Sequence, residues 1–115
     1  MHSEQEMLNE FEAAVLERIA YSNLWLRPIL GGLRVSSRKI TGGGSYTDFE
    51  PSSASVGIPD GHFSLDALIS MPGVSNGMGA TLFVKAGHIT FLEIYVFGGQ
   101  YWDDQFNGYS LINNA

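Results

Sequence analysis

Glu93 is the residue whose setting in the sequence most suggests chemistry, because this acid interrupts an apolar stretch from Phe91 to Tyr95. An unpaired carboxylate among apolar side chains costs free energy or takes up a proton, so it needs a partner or a function. One interpretation is a general base or ligand anchor in a pocket lined by aromatic rings. The alternative that we favour is a structural ion pair with a cation on a neighbouring strand, the candidates being Lys85, Arg34 and Arg38.

An aromatic segment near the C-terminus is the second candidate for function, since Tyr101 and Trp102 are followed directly by Asp103 and Asp104. Tyrosine and tryptophan with polar neighbours are over-represented at the energetic centres of protein interfaces. The segment, together with Tyr95, is therefore a candidate surface for a partner. The simpler alternative, which we favour, is that the segment folds back and its rings close one end of the core.

Signatures of catalysis and of metal binding are weak. The sequence has no cysteine, its three histidines lie far apart, and it contains neither an H-E-x-x-H pair nor a G-x-S-x-G elbow. A contact between His62 and Asp66 is conceivable, but no complete triad is indicated. The segment from Asp103 to Gly108 resembles the start of a calcium loop, yet Asn114 stands where a bidentate glutamate belongs. We therefore expect no metal, no cofactor and a protein that is not an enzyme.

The charge of the chain is acidic and unevenly distributed. Twelve acidic and six basic residues give a formal net charge of −6, and the first twenty residues hold five glutamates against one arginine, a net charge of −4. Such a field disfavours nucleic acid and attracts a basic protein partner. No segment fits a secretion signal or a membrane span, so we expect no membrane association. The lack of cysteine is typical of a cytoplasmic protein.

The strongest structural pattern is an amphipathic helix over residues 4–20. Ser3 and Glu6 have the spacing of a capping box, in which each side chain satisfies a free backbone N–H group. Apolar residues then recur every three or four positions, namely Met7, Leu8, Phe11, Ala14, Val15 and Ile19. Three acids fall largely on the opposite side, Glu10, Glu12 and Glu17.

Beyond residue 33 the apolar period changes to two, which predicts strands. We expect them over residues 33–41, 45–50, 63–71, 81–85 and 88–97, with a short edge strand at 111–112. Residues 51–61 and 72–79, which are rich in serine, proline and glycine, are predicted to be a loop and a turn. The strand over 88–97 is apolar on both sides, which is typical of a central strand that is covered twice.

These elements predict a single α+β domain over residues 1–115. The N-terminal amphipathic helix, with a short or irregular second helix between residues 23 and 31, packs on a five- to six-stranded antiparallel sheet. Periodicity does not decide between a roll wrapped around the helix and a curved cone.

Several short motifs give the chain a resemblance to a known group of proteins. They are Leu92-Glu93-Ile94-Tyr95, then Phe97-Gly98-Gly99 and Tyr101-Trp102, with Ser37-Arg38, Thr41-Gly42 and Leu82-Phe83-Val84 ahead of Gly87. In these motifs the chain resembles a group of small uncharacterised bacterial proteins. The resemblance implies the hairpin structure and a bacterial origin, and it brings no activity with it. Small acidic α+β proteins include immunity proteins of toxin systems, and that role comes to this chain by analogy alone.

Three hypotheses for function follow from these patterns. The preferred one is a non-enzymatic binding protein, of the immunity type by that analogy, which recognises a protein partner through its acidic helix or through residues 101–104. The alternative is a small-molecule-binding or enzymatic pocket in a curved sheet, with Glu93 as its polar anchor. The third is a homodimer in which a second copy covers an exposed face or edge of the sheet.

Overall fold

The helices come first along the chain, and the strands follow. The computed structural model describes residues 7–51, 58–103 and 105–113. Helix α1 (Glu10–Ser22) is followed by a 3₁₀ turn (Leu24–Leu26) and by the single turn of α2 (Arg27–Leu30). The short, irregular second helix expected between residues 23 and 31 is thus confirmed.

The start of α1 differs from the prediction. Asn9 is its N-cap: the Asn9 side chain accepts a hydrogen bond from the Glu12 backbone N, and the Glu12 side chain accepts one from the Asn9 backbone N. This is a capping box with the spacing predicted for Ser3 and Glu6, which lie outside the described residues. Asparagine is among the best N-cap residues, so the box at Asn9 is chemically as good as a serine box.

Seven strands form one antiparallel sheet: β1 (Val35–Ile40), β2 (Gly44–Phe49), β3 (Gly61–Ser64), β4 (Ala67–Met71), β5 (Val74–Lys85), β6 (His88–Val96) and β7 (Ser110–Asn113). Their order is β1-β2-β6-β5-β4-β7, and β3 also pairs with β5. The α+β class is confirmed, with seven strands where five or six were predicted. The long β5–β6 hairpin lies at the centre of the sheet, and the predicted edge strand at 111–112 is part of β7.

Two predicted boundaries in the middle of the chain are wrong. The strand expected over residues 63–71 is divided into β3 and β4, which lie end to end along the twelve residues of β5. The turn expected over residues 72–79 is confined to Pro72 and Gly73, because β5 already begins at Val74. Of the loop predicted over 51–61, residues 52–57 lie outside the described residues.

The core lies between α1 and one face of the sheet, here called the inner face. Helix α1 contributes a stripe of buried residues, Phe11, Val15, Leu16, Ile19 and Ala20. The central strands meet it with alternate buried residues, Met78, Ala80, Leu82 and Val84 from β5 and Leu92 and Ile94 from β6. The predicted helix stripe and the period-two pattern of the sheet therefore build one common core.

Glu12 is a fully buried acid within this interface, whereas the sequence pattern placed it on the polar side of the helix. Arg38 of β1 donates two hydrogen bonds to its carboxylate, each 2.7 Å long, and Thr47 of β2 donates a third of 2.7 Å. The Asn9 backbone N supplies a fourth. Because every oxygen is paired, and the arginine contact is bidentate, burial of this charge is compensated.

Glu12→Ala is expected to lower the free energy of unfolding by about 3 kcal/mol, because it removes the buried carboxylate that accepts hydrogen bonds from Arg38, Thr47 and the Asn9 backbone N. Arg38 keeps some access to water, which holds the loss near the lower end for a broken buried pair. Chemical denaturation followed by circular dichroism measures the change. Glu17→Ala, at an exposed position of the same helix, is the control and should stay within about 0.5 kcal/mol of wild type. Equal losses in the two variants would contradict the structural role of Glu12.

Candidate functional site

The face of the sheet that points away from α1, here called the open face, is the candidate site. Along β6, Leu92 and Ile94 are buried on the inner face, whereas Phe91, Glu93 and Tyr95 alternate with them and remain partly exposed. The described part of the molecule is 20 Å across its shortest axis, which fits one helix layer on one sheet. The predicted central position of this strand is confirmed, but within the described residues it is covered on one side.

A row of aromatic rings crosses the open face over four neighbouring strands, and we call it the aromatic row: Tyr46 (β2), Phe91 (β6), Phe83 (β5) and His62 (β3). The centroids of Phe83 and Phe91 are 4.3 Å apart and the rings are stacked. Tyr46 lies 6.0 Å from Phe91, and His62 lies 5.4 Å from Phe83. These contacts are cross-strand pairs, so the sheet register itself assembles the row.

Glu93 lies beside this row, opposite Tyr46 on β2 and Thr81 on β5. Its carboxylate accepts a hydrogen bond of 3.2 Å from the Tyr46 hydroxyl. Among the described residues it forms no ion pair, so the predicted pairing with Lys85, Arg34 or Arg38 is wrong. The reason is the strand period: Arg38 lies opposite Thr47, on the inner face, where it binds Glu12.

The contact with Glu93 changes the acidity of Tyr46. The negative charge of the Glu93 carboxylate, its acceptance of the phenol proton in a hydrogen bond and slight burial together raise the pKa of the Tyr46 hydroxyl. The neutral phenol is therefore held as a donor to Glu93, and Tyr46 is unsuited to act as a base near neutral pH.

Tyr95 and Phe97 extend the aromatic surface beyond Glu93. A Cβ atom on Gly79 of β5 would lie 2.5 Å from the Tyr95 ring and 2.9 Å from the Phe97 ring, so both rings lie against a strand backbone that only glycine leaves bare. The Tyr95 hydroxyl is 3.2 Å from Thr81 Oγ1, which holds the ring in place. Tyr95 is thus a fixed part of the open face.

The predicted C-terminal surface is not a single patch. Trp102 is 1% exposed, and its ring packs against Phe11 and Phe106 with centroid distances of 6.5 and 5.2 Å. The folded-back alternative is therefore what the structure shows, and the ring closes one end of the core. Tyr101 and Asp103 remain exposed, while Asp104 lies outside the described residues.

The acidic helix also offers less charge than its sequence suggested. Glu10 and Glu17 are exposed, Glu12 is neutralised by Arg38, and the two remaining acids of the first twenty residues, Glu4 and Glu6, lie outside the described residues. Arg18 on the same helix forms an ion pair of 3.0 Å with Asp66. Since Asp66 binds Arg18, and His62 packs on Phe83, the conceivable contact between His62 and Asp66 is not formed.

One concavity, of about 420 Å³, lies at the end of the aromatic row and is lined by His62, Phe83, Lys85, Phe91 and the Asp60 side chain. Glu93 is not part of its wall, so the predicted polar anchor of a pocket is elsewhere. Asp60 already accepts a hydrogen bond from the Ala86 backbone N. The described residues contain no group of three side chains able to hold a metal ion, and no helix among them is long and apolar enough to cross a membrane.

Comparisons of the chain with protein-family models, curated proteins and solved structures find no match. The function must therefore be inferred from the geometry of the open face.

The sequence did not identify the aromatic row as a binding surface: Tyr46, Phe83 and Phe91 were not among the candidate site residues, and His62 was considered only as a contact of Asp66. A usable signal was present, because residues 88–97 are apolar on both sides while the sequence predicts one long helix. One helix covers only one face of a sheet, so the apolar side chains on the other face of this strand were expected to need a different partner.

Gly79→Ala is expected to lower the free energy of unfolding by about 1–3 kcal/mol, because the added methyl group collides with the Tyr95 and Phe97 rings. Thermal and denaturant unfolding measure this loss. Gly43→Ala is the matched control, since a Cβ there meets nothing within 4 Å, and it should change stability by less than about 0.5 kcal/mol. A neutral Gly79→Ala would mean that the two rings do not lie on β5.

Glu93→Gln is expected to lower the pKa of Tyr46 toward its ordinary value of 10.0, because the substitution removes the negative charge that opposes phenolate formation. Ultraviolet absorbance of the phenolate during a pH titration measures the shift. The spectrum of Tyr46→Phe, subtracted from each titration, isolates Tyr46 from the other tyrosines. An unchanged or higher pKa in Glu93→Gln would contradict the contact.

Proposed function

We propose that this protein is a non-enzymatic binding protein that recognises a protein partner through the open face of its sheet. The observation that carries the proposal is the aromatic row, which crosses four adjacent strands and has no cover within residues 7–51, 58–103 and 105–113. Aromatic rings on a rigid sheet are typical of the residues that provide most of the energy at protein interfaces.

The size and exposure of the face support this function. Tyr46 is 38% and Phe97 42% exposed, so both rings are accessible to a partner. The described part of the molecule measures 41 × 40 Å along the two axes other than its thickness. A standard interface needs roughly 800 Å² from each partner, which is about half of such a face.

The polar side chains of the face support binding over catalysis. Glu93 is engaged by Tyr46, and Thr81 by Tyr95, while His62 packs on Phe83. No nucleophile and base are brought together in these contacts. The alternative of a small-molecule pocket anchored by Glu93 has less support, because the concavity beside the row does not include that residue.

A role of the immunity type would be one form of this function, with the open face as the inhibitory surface. A bacterial origin and a cytoplasmic location belong to the same proposal, and they rest on the sequence motifs and on the cysteine-free composition.

The test is affinity capture from a lysate of the source organism with three immobilised proteins: wild type, the double variant Tyr46→Ser/Phe97→Ser, and the control Tyr21→Ser/Leu24→Ser. The control removes two apolar side chains near the end of α1, away from the open face, which at 65% and 68% are more exposed than Tyr46 and Phe97. We expect one protein to be captured by wild type and by the control, and its capture to fall at least tenfold, about 1.4 kcal/mol, with the open-face variant.

Calorimetric titration with the purified partner then measures the same ratio in solution. The proposal is overturned when no protein is captured, or when the open-face variant captures as much as wild type. It is equally overturned when the control near α1 loses the partner.

A further inference from the structure

The centre of the open face carries a carboxylate, that of Glu93, which favours a positively charged group on a partner. Glu93 lies between Phe91 and Tyr95, two positions away along β6 on either side, and between Tyr46 and Thr81 on the adjacent strands. Residues two apart on a strand are about 7 Å apart on the same face, so the rings of Phe91 and Tyr95 flank the Glu93 side chain. The carboxylate is thus framed by aromatic rings on three sides.

The carboxylate of Glu93 is partly buried and has one oxygen available to a further donor. Within the described residues its one hydrogen-bond donor is the Tyr46 hydroxyl, which reaches Oε2, so Oε1 is left for another donor. A carboxylate partly withdrawn from water gains from a cation, and surrounding ring faces attract the same cation.

An arginine side chain fits this arrangement better than other cations. Its planar guanidinium can donate two parallel hydrogen bonds to one carboxylate while its faces stack on aromatic rings. Lysine offers a point charge without the planar surface. The arginine guanidinium is fully protonated near neutral pH, so it binds a carboxylate without taking up a proton.

We propose that the partner places an arginine of a basic segment on Glu93, against the rings of Tyr46, Phe91 and Tyr95. This inference rests on the proposed function and specifies the chemistry of the partner. The net charge of −6 supports it, because the field of the whole chain draws a basic segment toward the protein and repels an acidic one.

The same charges argue against a second copy of this chain on the open face. Each copy has a net charge of −6 and presents its own Glu93 at the centre of the face. Stacking two open faces would withdraw both carboxylates further from water, because the cations of this face, Lys39 opposite Tyr46 on the edge strand β1 and Lys85 at the end of the aromatic row, lie away from its centre. A basic partner removes this penalty.

Nuclear magnetic resonance titration with acetyl-arginine amide tests the subsite directly. The neutral isostere acetyl-citrulline amide is the ligand control, and Glu17→Gln, an exposed acid of α1, is the protein control for Glu93→Gln. We expect saturable amide shifts at Tyr46, Phe91, Glu93 and Tyr95 with the arginine compound, with an affinity in the millimolar range. Glu93→Gln keeps the acceptor for Tyr46 and should weaken this binding at least about tenfold, while Glu17→Gln leaves it unchanged.

Three results would overturn the arginine subsite: equal shifts with acetyl-citrulline amide, equal affinity in Glu93→Gln and wild type, or shifts centred on Glu10 and Glu17 of α1. Light scattering could give a fourth such result, namely that wild type is a dimer and the variant Tyr46→Ser/Phe97→Ser is a monomer. The open face would then bind a second copy of this chain.

The captured partner separates this inference from the function on which it rests. If Tyr46→Ser/Phe97→Ser loses the partner and Glu93→Gln binds it as well as wild type does, partner binding on the open face stands and the arginine subsite falls. If both variants bind like wild type, both proposals fall. Loss of the partner in both variants, with retention in Glu17→Gln, supports both.

Discussion

A strand has two sides, and the central strand of this protein is apolar on both, while the helices supply cover for one. β6 packs Leu92 and Ile94 against α1 and leaves Phe91 and Tyr95 on the open face. The thirteen residues of α1 extend over about 20 Å along the inner face. Within the described residues, the connections between strands contain no second helix that covers the other face of the sheet. The partly exposed aromatic rings therefore reduce their contact with water by stacking on each other, as Phe83 and Phe91 do at 4.3 Å.

Polar contacts at the inner face join α1 to strands in both halves of the sheet. At the start of α1, Glu12 binds Arg38 and Thr47, which joins the helix to β1 and β2. Further along the helix, Arg18 binds Asp66, beside the start of β4. The helix is thus joined to both halves of the sheet, and the open face lies on the other side of the same strands. Preformed surfaces lose little conformational entropy on binding, which suits a recognition surface built from side chains on strands.

Glu12 and Glu93 show how two acids of similar sequence appearance are used in opposite ways. Glu12 belongs to an amphipathic helix with other glutamates around it, and the sequence assigns it to solvent, yet it is the buried acid. Glu93 lies in an apolar segment and the sequence suggests a buried ion pair, yet it is half-exposed on the open face with Tyr46. In each case the deciding factor is which face of which element the residue occupies once the two layers have come together.

Much of the fold was accessible from local pattern, and much of the site was not. The 3.6-residue stripe of α1, the β5–β6 hairpin and the final edge strand were predicted because their signals come from residues near each other in the chain. The first part of β5 was missed because Gly77 and Gly79 resemble turn residues. They are glycines because Leu68 and Tyr95 approach the backbone there, at 2.7 and 2.5 Å from where a Cβ would be. Those neighbours come from other strands, and no local pattern reveals them.

The sequence by itself determined the α+β class, the amphipathic helix, the period-two strands and the excess of negative charge, since each is a property of neighbouring residues. Only the tertiary structure decided that Glu12 is buried with Arg38, that Trp102 closes the core, and that Tyr46, Phe83, Phe91 and Glu93 share one open face. Those arrangements depend on strand order and register, which are set by the free energy of the whole packed sheet and not by any one segment.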